Sequence, residues 1–387
     1  MRRLTLLGRG CIPKEVFHLM FLGLSGEVVC PELWDLNLEA DYDTLPFHHL
    51  LLSPKLTTLS FTYSSSRSPE EDVSILQPVV MELDTFRLRD LQLQWWIPED
   101  TRVHMESAAS SAVLRCGPTL EKLTIFSPLS DAAVQHIMQL PNLCNWYAVN
   151  GPPRTPNLPL SDIFPRLDRL SLAEEISLEW LTLFTTTARH TPSGQISHPP
   201  LKQGPIERLT DLVIFPKVII DAAFMSPIIL FHGLVILRLT AACYTVGGCA
   251  FNLTDDDIAE IAPALPCLVV AMLGIVCLEN SCRTTVASLA SLSEHCRGLQ
   301  DLEIHFNTAN LRNDLDAVSA DPRLDSLPSL RTCDVFHLEL SNAPYTISED
   351  DVVPVLRGFR RVFPSLAGIS GSDDNWSLLS LRLPEVV

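Results

Sequence analysis

The sequence predicts an α/β solenoid, in which one short strand and one helix alternate along the whole chain. Three observations support this fold class. The apolar pattern LxxLxL recurs throughout the 387 residues, of which 63 are leucine. A proline precedes most copies of the pattern at a fixed distance, and the segments between copies carry apolar residues at helical spacing.

Twelve segments carry the LxxLxL pattern or a close variant of it. The last two apolar positions of each copy are two residues apart, so both side chains point to the same face of a short strand. Leu4 and Leu6 fit the end of a thirteenth copy. The twelve segments are Leu33–Leu38, Leu56–Phe61, Leu88–Leu93, Leu120–Ile125, Leu143–Ala148, Leu167–Leu172, Leu209–Ile214, Leu234–Leu239, Leu268–Leu273, Leu299–Ile304, Leu330–Val335 and Leu366–Ile369.

Proline marks the entrance to these strands. It cannot continue a helix, and it favours extended geometry in the residue before it. Each such proline is therefore predicted to separate a helix from the next strand. In eight copies a proline lies two residues before the first leucine, at Pro31, Pro54, Pro118, Pro141, Pro165, Pro266, Pro328 and Pro364.

Helices are predicted between the strands. Ser130 stands at the N-cap position of a helix that ends near Leu140. Thr254 and Asp257 have the spacing of a capping box, with Asp in place of the usual Glu. A further helical stripe consists of Val286, Leu289, Leu292 and Cys296.

A strand and helix unit of about thirty residues cannot bury its own apolar face, so neighbouring units must stack to close a core. We therefore expect residues 1–387 to form one solenoid of about 12–13 irregular repeats. Parallel strands would line its concave face, and helices its convex face. The widest gap, between Leu167 and Leu209, contains the Pro- and Gly-containing segment 185–206, which we expect to be a flexible loop insertion.

Charge and hydropathy exclude several functions. The formal net charge is −18, so DNA and RNA phosphates and anionic lipid surfaces would repel the chain. The longest apolar run, Leu268–Leu278, is too short to span a bilayer and is typical of a buried core segment. The N-terminal apolar run stops at Gly8, too early for a signal peptide. We expect no nucleic-acid or membrane binding, and a cytoplasmic or nuclear location.

Cysteine and histidine spacing indicates no metal site, cofactor or catalytic centre. The eleven cysteines are scattered singly, with no CxxC pair, which predicts reduced thiols in the core. His48 and His49 are adjacent and would diverge on a strand, so we expect them at the surface without a metal. The acidic run at Asp255–Asp257 is explained by a helix N-terminus.

The combined signature [Cys/Leu/Phe]-Pro-x-Leu-x-x-Leu-x-Leu resembles the leucine-rich-repeat family over nearly the whole chain. Cys30 to Leu33 and Cys296 to Leu302 look like the irregular cysteine-containing repeats of F-box proteins, particularly the fungal set. The resemblance implies a horseshoe whose concave face binds protein partners. It further implies substrate recognition for an SCF-type ubiquitin ligase, with the SCF adaptor as a partner if an F-box lies upstream.

The chain departs from the F-box family at its N-terminus. The segment Ile12–Phe17 is similar to the Leu-Pro-x-Glu opening of an F-box, but Pro31 and a repeat strand follow too soon for the remaining F-box helices. We interpret the segment as the first repeat helix with Pro13 at its N1 position, and expect no separate F-box domain. A truncated gene product and an F-box-less relative are both consistent with this reading.

The predicted binding residues flank the last two apolar positions of each strand, where side chains would project onto the concave wall. Aromatic and arginine residues are typical anchors of protein interfaces. Burial under loops and a register shifted by one residue are the alternatives to exposure on the wall. The candidates are Phe126, Tyr147, Arg169, Phe215, Arg238, Asp301, Glu303, His305, Asp334 and Phe336.

These observations predict a non-enzymatic protein-binding repeat protein, which by its resemblance would recognise substrates for an F-box-type ubiquitin ligase. A stand-alone scaffold or inhibitor unrelated to ubiquitin is the first alternative. An enzyme is the second alternative, and it would require His, Cys and Asp side chains that converge in one pocket.

Overall fold

A computed structural model describes most of the chain and divides it into two compact units, Met1–Ala173 and Glu174–Val387. Each unit is considered by itself below. The predicted loop 185–206 lies outside the described residues, and the single continuous solenoid over 1–387 stays a prediction. The described residues are 2–6, 13–25, 27–41, 43–64, 69–96, 105–148, 164–173, 209–215, 219–242, 250–276, 282–304, 306–320, 335, 337–340, 349–371 and 379.

The described part of the first unit contains one all-parallel sheet in which strands follow one another in chain order. Its strands are β1 (Arg3–Leu6), β2 (Asp35–Ala40), β3 (Thr58–Ser64), β4 (Asp90–Trp96), β5 (Lys122–Ile125), β6 (Asn145–Ala148) and β7 (Arg169–Ala173). Its helices are α1 (Lys14–Gly23), α2 (Pro69–Glu82), α3 (Glu106–Leu114) and α4 (Asp131–Gln139), with 3₁₀ turns at Leu45–Leu50 and Leu83–Thr85.

The described part of the second unit repeats this arrangement and adds a two-stranded parallel ladder, β10 with β12. Its strands are β8 (Asp211–Phe215), β9 (Ile236–Leu239), β10 (Ala241–Ala242), β11 (Val270–Leu273), β12 (Ile275–Val276), β13 (Asp301–Ile304), β14 (His337–Leu340) and β15 (Gly368–Gly371). Its helices are α5 (Ala222–Ile228), α6 (Asp255–Ala264), α7 (Val286–His295), α8 (Leu311–Ser319) and α9 (Glu349–Val362).

The main sheet of the second unit has the order β8-β9-β11-β13-β14-β15, and all of its strand pairs are parallel. Parallel neighbours require a crossover, which helices or 3₁₀ turns provide in both units. Because such crossovers are right-handed, the helices collect on one side of the sheet. The fold is therefore an α/β solenoid of the leucine-rich-repeat type, as the sequence predicts.

The described proline turns, at Pro31, Pro54, Pro118, Pro141, Pro165, Pro266 and Pro364, are hydrogen-bonded β-turns. The N–H of Leu33 donates to the carbonyl of Cys30 at 3.0 Å, and that of Leu56 to Ser53 at 3.0 Å. Proline thus occupies the second position of the turn, where its fixed φ is favoured. Phe231 and Leu234 close the same turn without a proline, so the geometry belongs to the repeat and proline only favours it.

At the entrance of most of the described strands, one backbone carbonyl holds the next repeat in register. The carbonyl of Thr57 accepts hydrogen bonds from the N–H groups of both Arg89 and Asp90, at 2.7 and 3.1 Å. In the second unit, the carbonyl of Val235 accepts from Val269 and Val270 at 2.8 and 3.0 Å. Since a slip of one residue would turn the leucines outward, this contact fixes which side chains are buried.

Buried and more exposed residues alternate along most of the strands. In β2, Leu36 and Leu38 are buried, whereas Asp35, Asn37 and Glu39 are partly exposed. The buried set lies toward the helices, whose apolar residues complete the core. We call the other side of each sheet, which carries the alternate side chains, the open face of that unit.

One predicted strand is wrong. Leu330–Val335 was assigned from Pro328 and Leu330, but the strand in this repeat is β14, and Val335 lies before it. Leu338 pairs in register with Leu302. Val335, Leu338 and Leu340 have the same LxxLxL spacing, so the pattern alone offered two registers and only pairing with β13 decides between them.

Two of the predicted helix starts are confirmed, and a third is displaced by one residue. The Ser130 side chain accepts a hydrogen bond from the Ala133 N–H at the start of α4. Thr254 and Asp257 form a reciprocal capping box at the start of α6. Pro13 is the N-cap residue of α1, which begins at Lys14, so its predicted N1 position is wrong by one residue. The described part of the segment that is similar to an F-box opening, Pro13 to Phe17, therefore lies at the start of the helix between β1 and β2.

Asp255 connects two repeats of the second unit. It lies in the first turn of α6, but its carboxylate accepts hydrogen bonds from the N–H and hydroxyl of Thr285, both at 2.7 Å. It also accepts from the N–H and hydroxyl of Ser288, at 3.2 and 2.5 Å. These groups stand at the start of α7, where the helix dipole favours a negative charge.

Replacing Asp255 by alanine should lower the free energy of unfolding by about 2 kcal/mol, because four donors at the start of α7 lose their acceptor. Urea unfolding followed by circular dichroism measures the change. Asp255→Asn should lose less, since its amide oxygen can still accept. Asp256→Ala, which changes an exposed neighbour, serves as the control. An Asp255→Ala protein as stable as Asp256→Ala would contradict a stabilising role of the hydrogen bonds between Asp255 and the start of α7.

Candidate protein-binding surface

The open face of the first unit is mostly polar. Its strands place side chains in rows that cross the sheet, because the pairing register aligns equivalent positions. The first row consists of the first residue of each strand. It contains two ion pairs, Arg3 with Asp35 at 3.0 Å and Lys122 with Asp90 at 3.9 Å. The second row contains Thr5, Asn37, Ser60, Gln92, Thr124, Tyr147 and Ser171.

Burial raises the pKa of the Asp90 carboxyl above its ordinary value. Lys122 opposes this rise, and the nearby Asp35 reinforces it. The Ser60 hydroxyl donates to the Gln92 side-chain oxygen at 3.3 Å. Much of this face is therefore satisfied by its own neighbours and needs no ligand to pair its charges.

Phe126 and Tyr147, both predicted as binding residues, meet on this face. Phe126 follows the last residue of β5, and Tyr147 lies on β6. Their ring centroids are 5.1 Å apart with the planes tilted by 43°, within the range of favourable aromatic pairs. Both residues are partly exposed, and burial raises the pKa of the Tyr147 hydroxyl above its usual value.

Arg169, the third predicted residue of this unit, lies one strand further on. It pairs in register with Asn145, two residues before Tyr147 on β6, and is exposed. Arg169 is therefore a diagonal neighbour of Tyr147 on the open face. The first unit thus brings three of its predicted residues to one end of its face.

The open face of the second unit carries four predicted residues. Phe215 is 40% exposed at the end of β8, and Arg238 is exposed on β9. Asp301 is exposed and Glu303 partly exposed on β13. Met272 separates Arg238 from Glu303 in the same row.

Gly274 leaves space for the Glu303 side chain. A Cβ added at Gly274 would stand 2.4 Å from one Glu303 carboxylate oxygen and 2.9 Å from its carboxyl carbon. The carboxylate therefore lies over the backbone just after β11 and not straight out from the sheet.

Three predicted binding residues, His305, Asp334 and Phe336, lie outside the described residues. For Asp334 and Phe336 the underlying register is also wrong, because β14 begins at His337. The positions equivalent to Asp301 and Glu303 in that repeat are His337 and Glu339. The two registers differ by five residues.

Sequence reasoning missed the apolar part of the second open face. Val213, Ile236, Val270 and Met272 occupy the outward positions and are partly exposed. The prediction does not include them because it takes only aromatic and charged residues at those positions. The signal was present: Leu268–Leu273 is apolar at every position, although a strand with one polar face should alternate. The prediction of a wholly buried segment there is wrong for Val270 and Met272.

One of the two adjacent histidines lies in the core. His48 is buried at 5% exposure and its Nδ1–H donates to the Leu45 carbonyl at 2.7 Å, so its predicted surface position is wrong. His49 is partly exposed and its ring is nearly perpendicular to that of His48. Among the described residues, no group of three or more His, Cys, Asp or Glu side chains could hold a metal ion.

The described cysteines are free thiols. Cys116, Cys282 and Cys296 are buried as predicted, and Cys30 and Cys144 partly so, but Cys267 is exposed in a proline turn.

Within the described ranges, none of the helices combines the length and apolarity that a membrane crossing requires.

Comparisons with known proteins add little to this geometry. No family model matches the chain, and no curated protein matches it in sequence. Among solved structures, a chain from the crystal structure of the Rad7 and Elc1 complex in yeast is similar, with 13% sequence identity and a TM-score of 0.44. The match covers 97% of this chain and 77% of that chain. At this TM-score the likeness carries no argument, and the fold assignment rests on strand order and register.

The Phe126 ring should be one cause of the raised Tyr147 pKa, because it covers the phenol and reduces its hydration. Phe126→Ala is therefore expected to lower the Tyr147 pKa toward the ordinary value near 10. The difference in phenolate absorbance between each protein and its Tyr147→Phe partner measures this pKa. An unchanged pKa in Phe126→Ala would contradict the contact.

Burial raises the pKa of the Cys116 thiol to about 12, which leaves roughly one thiolate in ten thousand at pH 8. In the folded protein, iodoacetamide should therefore modify the exposed Cys267 and spare Cys116, as read by peptide mass spectrometry. In urea both should react. Equal modification of the two cysteines in the folded state would show that the Cys116 repeat opens.

Proposed function

We propose that this chain is a non-enzymatic repeat protein that binds another protein through the open faces of its sheets. The observation that carries the proposal is the Phe126 and Tyr147 pair, two partly exposed aromatic rings on a face that otherwise carries mainly small polar and charged residues.

Aromatic side chains on an open sheet supply large contact area at little cost in conformational entropy, and they are enriched among the residues that dominate binding energy. Tyr147 adds a hydroxyl that can bond to a partner while its ring stays packed. The exposed guanidinium of Arg169 lies beside the pair on the next strand. Together they have the composition of an interface anchor.

Within this role we propose substrate recognition for an F-box-type ubiquitin ligase, which the cysteine-containing repeats and their proline turns support by resemblance. The SCF adaptor would then be a second partner, bound through an F-box. The alternative is a stand-alone scaffold or inhibitor unrelated to ubiquitin. It is favoured by α1, which occupies the segment similar to an F-box opening and belongs to the first repeat.

The binding role can be tested with three forms of the full chain in an affinity capture from native cell extract. Phe126→Ala/Tyr147→Ala removes the aromatic pair, and Phe215→Ala removes the exposed ring of the second unit. Met81→Ala/Leu114→Ala is the matched control, because these apolar residues are 46% and 47% exposed on helices of the first unit.

Partners that bind through the open face should be recovered with wild type and control but weakened at least about thirtyfold by the aromatic double variant, the loss typical of two interface anchors. Purified partner and variant in a titration give the affinity ratio. Equal recovery with all four proteins would contradict binding through the predicted aromatic residues.

The same capture separates the two finer roles. Recovery of the SCF adaptor with wild type and with the aromatic variant would support the ligase role, because adaptor docking should not use the open face. Specific partners recovered without the adaptor would support the stand-alone role for this chain and contradict the ligase role.

A further inference from the structure

The centre of the second unit's open face is apolar, unlike the corresponding rows of the first unit. The first row of outward residues reads Asp211, Ile236, Val270 and Asp301 across four neighbouring strands. The second row reads Val213, Arg238, Met272 and Glu303. At the same positions the first unit has mainly Thr, Ser, Asn, Gln and charged residues, so the repeat does not itself require apolar side chains there.

Exposed apolar side chains on a strand face have an energetic cost in water unless a partner covers them. Ile236 and Val270 are direct cross-strand neighbours, and Met272 follows Val270 on the same face of β11. Phe215, exposed at the end of β8, extends this apolar centre along the strands. The arrangement is a group of neighbouring apolar side chains that are partly exposed, with Phe215 exposed at its edge.

Acidic residues stand on both sides of the apolar centre. In the first row, Asp211 precedes Ile236 and Asp301 follows Val270, and Glu303 extends the acidic side on β13. The exposed Arg238 is the positive charge of these two rows, and it lies in the second row. Across the four strands, the first row therefore reads acidic, apolar, apolar, acidic. The chain as a whole has a net charge of −18, so its electrostatic field attracts basic partners.

The spacing of this row matches an extended peptide that crosses the strands. Three inter-strand steps separate Asp211 from Asp301, a distance of about 14 Å. In an extended peptide, residues i, i+2 and i+4 point to one side, and i to i+4 also spans about 14 Å. A residue at i+2 would stand midway, above Ile236 and Val270.

We propose that the open face of the second unit binds an extended segment of a partner protein with the pattern basic-x-apolar-x-basic. The two basic side chains pair with Asp211 and Asp301, and the apolar side chain packs on Ile236, Val270 and Met272. This inference rests on the proposed binding function and gives it a partner chemistry. Arg238, in the adjoining row, is placed to donate to backbone carbonyls of the same segment.

The test uses an array of synthetic nine-residue peptides with leucine at the centre and Lys, Glu or Ser at one pair of positions, ±1, ±2 or ±3. The labelled full chain is the probe. Lys at ±2 should bind roughly tenfold more strongly than Glu at ±2, and the difference should shrink in high salt. Lys at ±1 or ±3 should give less binding than Lys at ±2.

Charge reversal provides the decisive comparison. Asp211→Lys/Asp301→Lys should invert the preference, so that Glu at ±2 binds best. Glu260→Lys/Glu294→Lys is the matched control, because it changes the net charge equally but lies on helices α6 and α7, and it should keep the preference for Lys. Circular dichroism and thermal unfolding establish that both variants fold. If the reversal variant does not fold, Asp211→Asn/Asp301→Asn should abolish the preference.

A preference for another spacing, no charge preference, or no binding above a control protein would overturn the pattern. So would an unchanged preference in the reversal variant. If partner capture still depends on Phe126, Tyr147 or Phe215 in that case, the proposed binding function stands and only the partner chemistry fails. If capture is also insensitive to those residues, both fail.

Discussion

The structure depends on the parallel register between neighbouring repeats. A strand of four to seven residues with one helix has too little apolar surface to fold alone, so each repeat is stable only when its leucines align with those of the next. The carbonyl of Thr57, shared by the N–H groups of Arg89 and Asp90, and its equivalent at Val235 set that alignment before the strand begins. The β-turn that the N–H of Leu33 or Leu56 closes comes directly before such a strand entrance. On the helix side, the hydrogen bonds from the start of α7 to the Asp255 carboxylate hold two neighbouring repeats in alignment.

The register that buries leucine also decides what the molecule displays. Because side chains alternate along a strand, every buried column has an open column beside it, and residues far apart in sequence become neighbours. Lys122 and Asp90 meet in this way, as do Phe126 and Tyr147. The two units use this freedom differently. The first pairs its charges with one another around one aromatic pair, whereas the second places apolar side chains between acidic ones. A constant core is thus compatible with two surfaces of different chemistry.

Much of the fold could be read from the sequence because it rests on local chemistry. The proline turns, the Ser130 cap and the Thr254 capping box each involve residues within a few positions of one another. The β14 register could not be read in this way. Both Leu330–Val335 and Val335–Leu340 satisfy the apolar spacing, and only pairing with β13 chooses between them. His48 shows the same limit, because its burial comes from packing that the local sequence does not show.

The sequence by itself determined the repeat, its strand and helix alternation and the positions whose side chains leave the core, since these follow from the period of the backbone and the chemistry of leucine and proline. Only the tertiary structure decided which of those positions meet. Phe126 contacts Tyr147, and Ile236 lies beside Val270, through hydrogen bonds between strands that are more than twenty residues apart in the chain. It also separated outward apolar residues such as Met272 from buried ones such as Leu273 within a run that is apolar throughout. The physical reason is that burial is a property of neighbouring strands and helices, and no single segment contains its own neighbours.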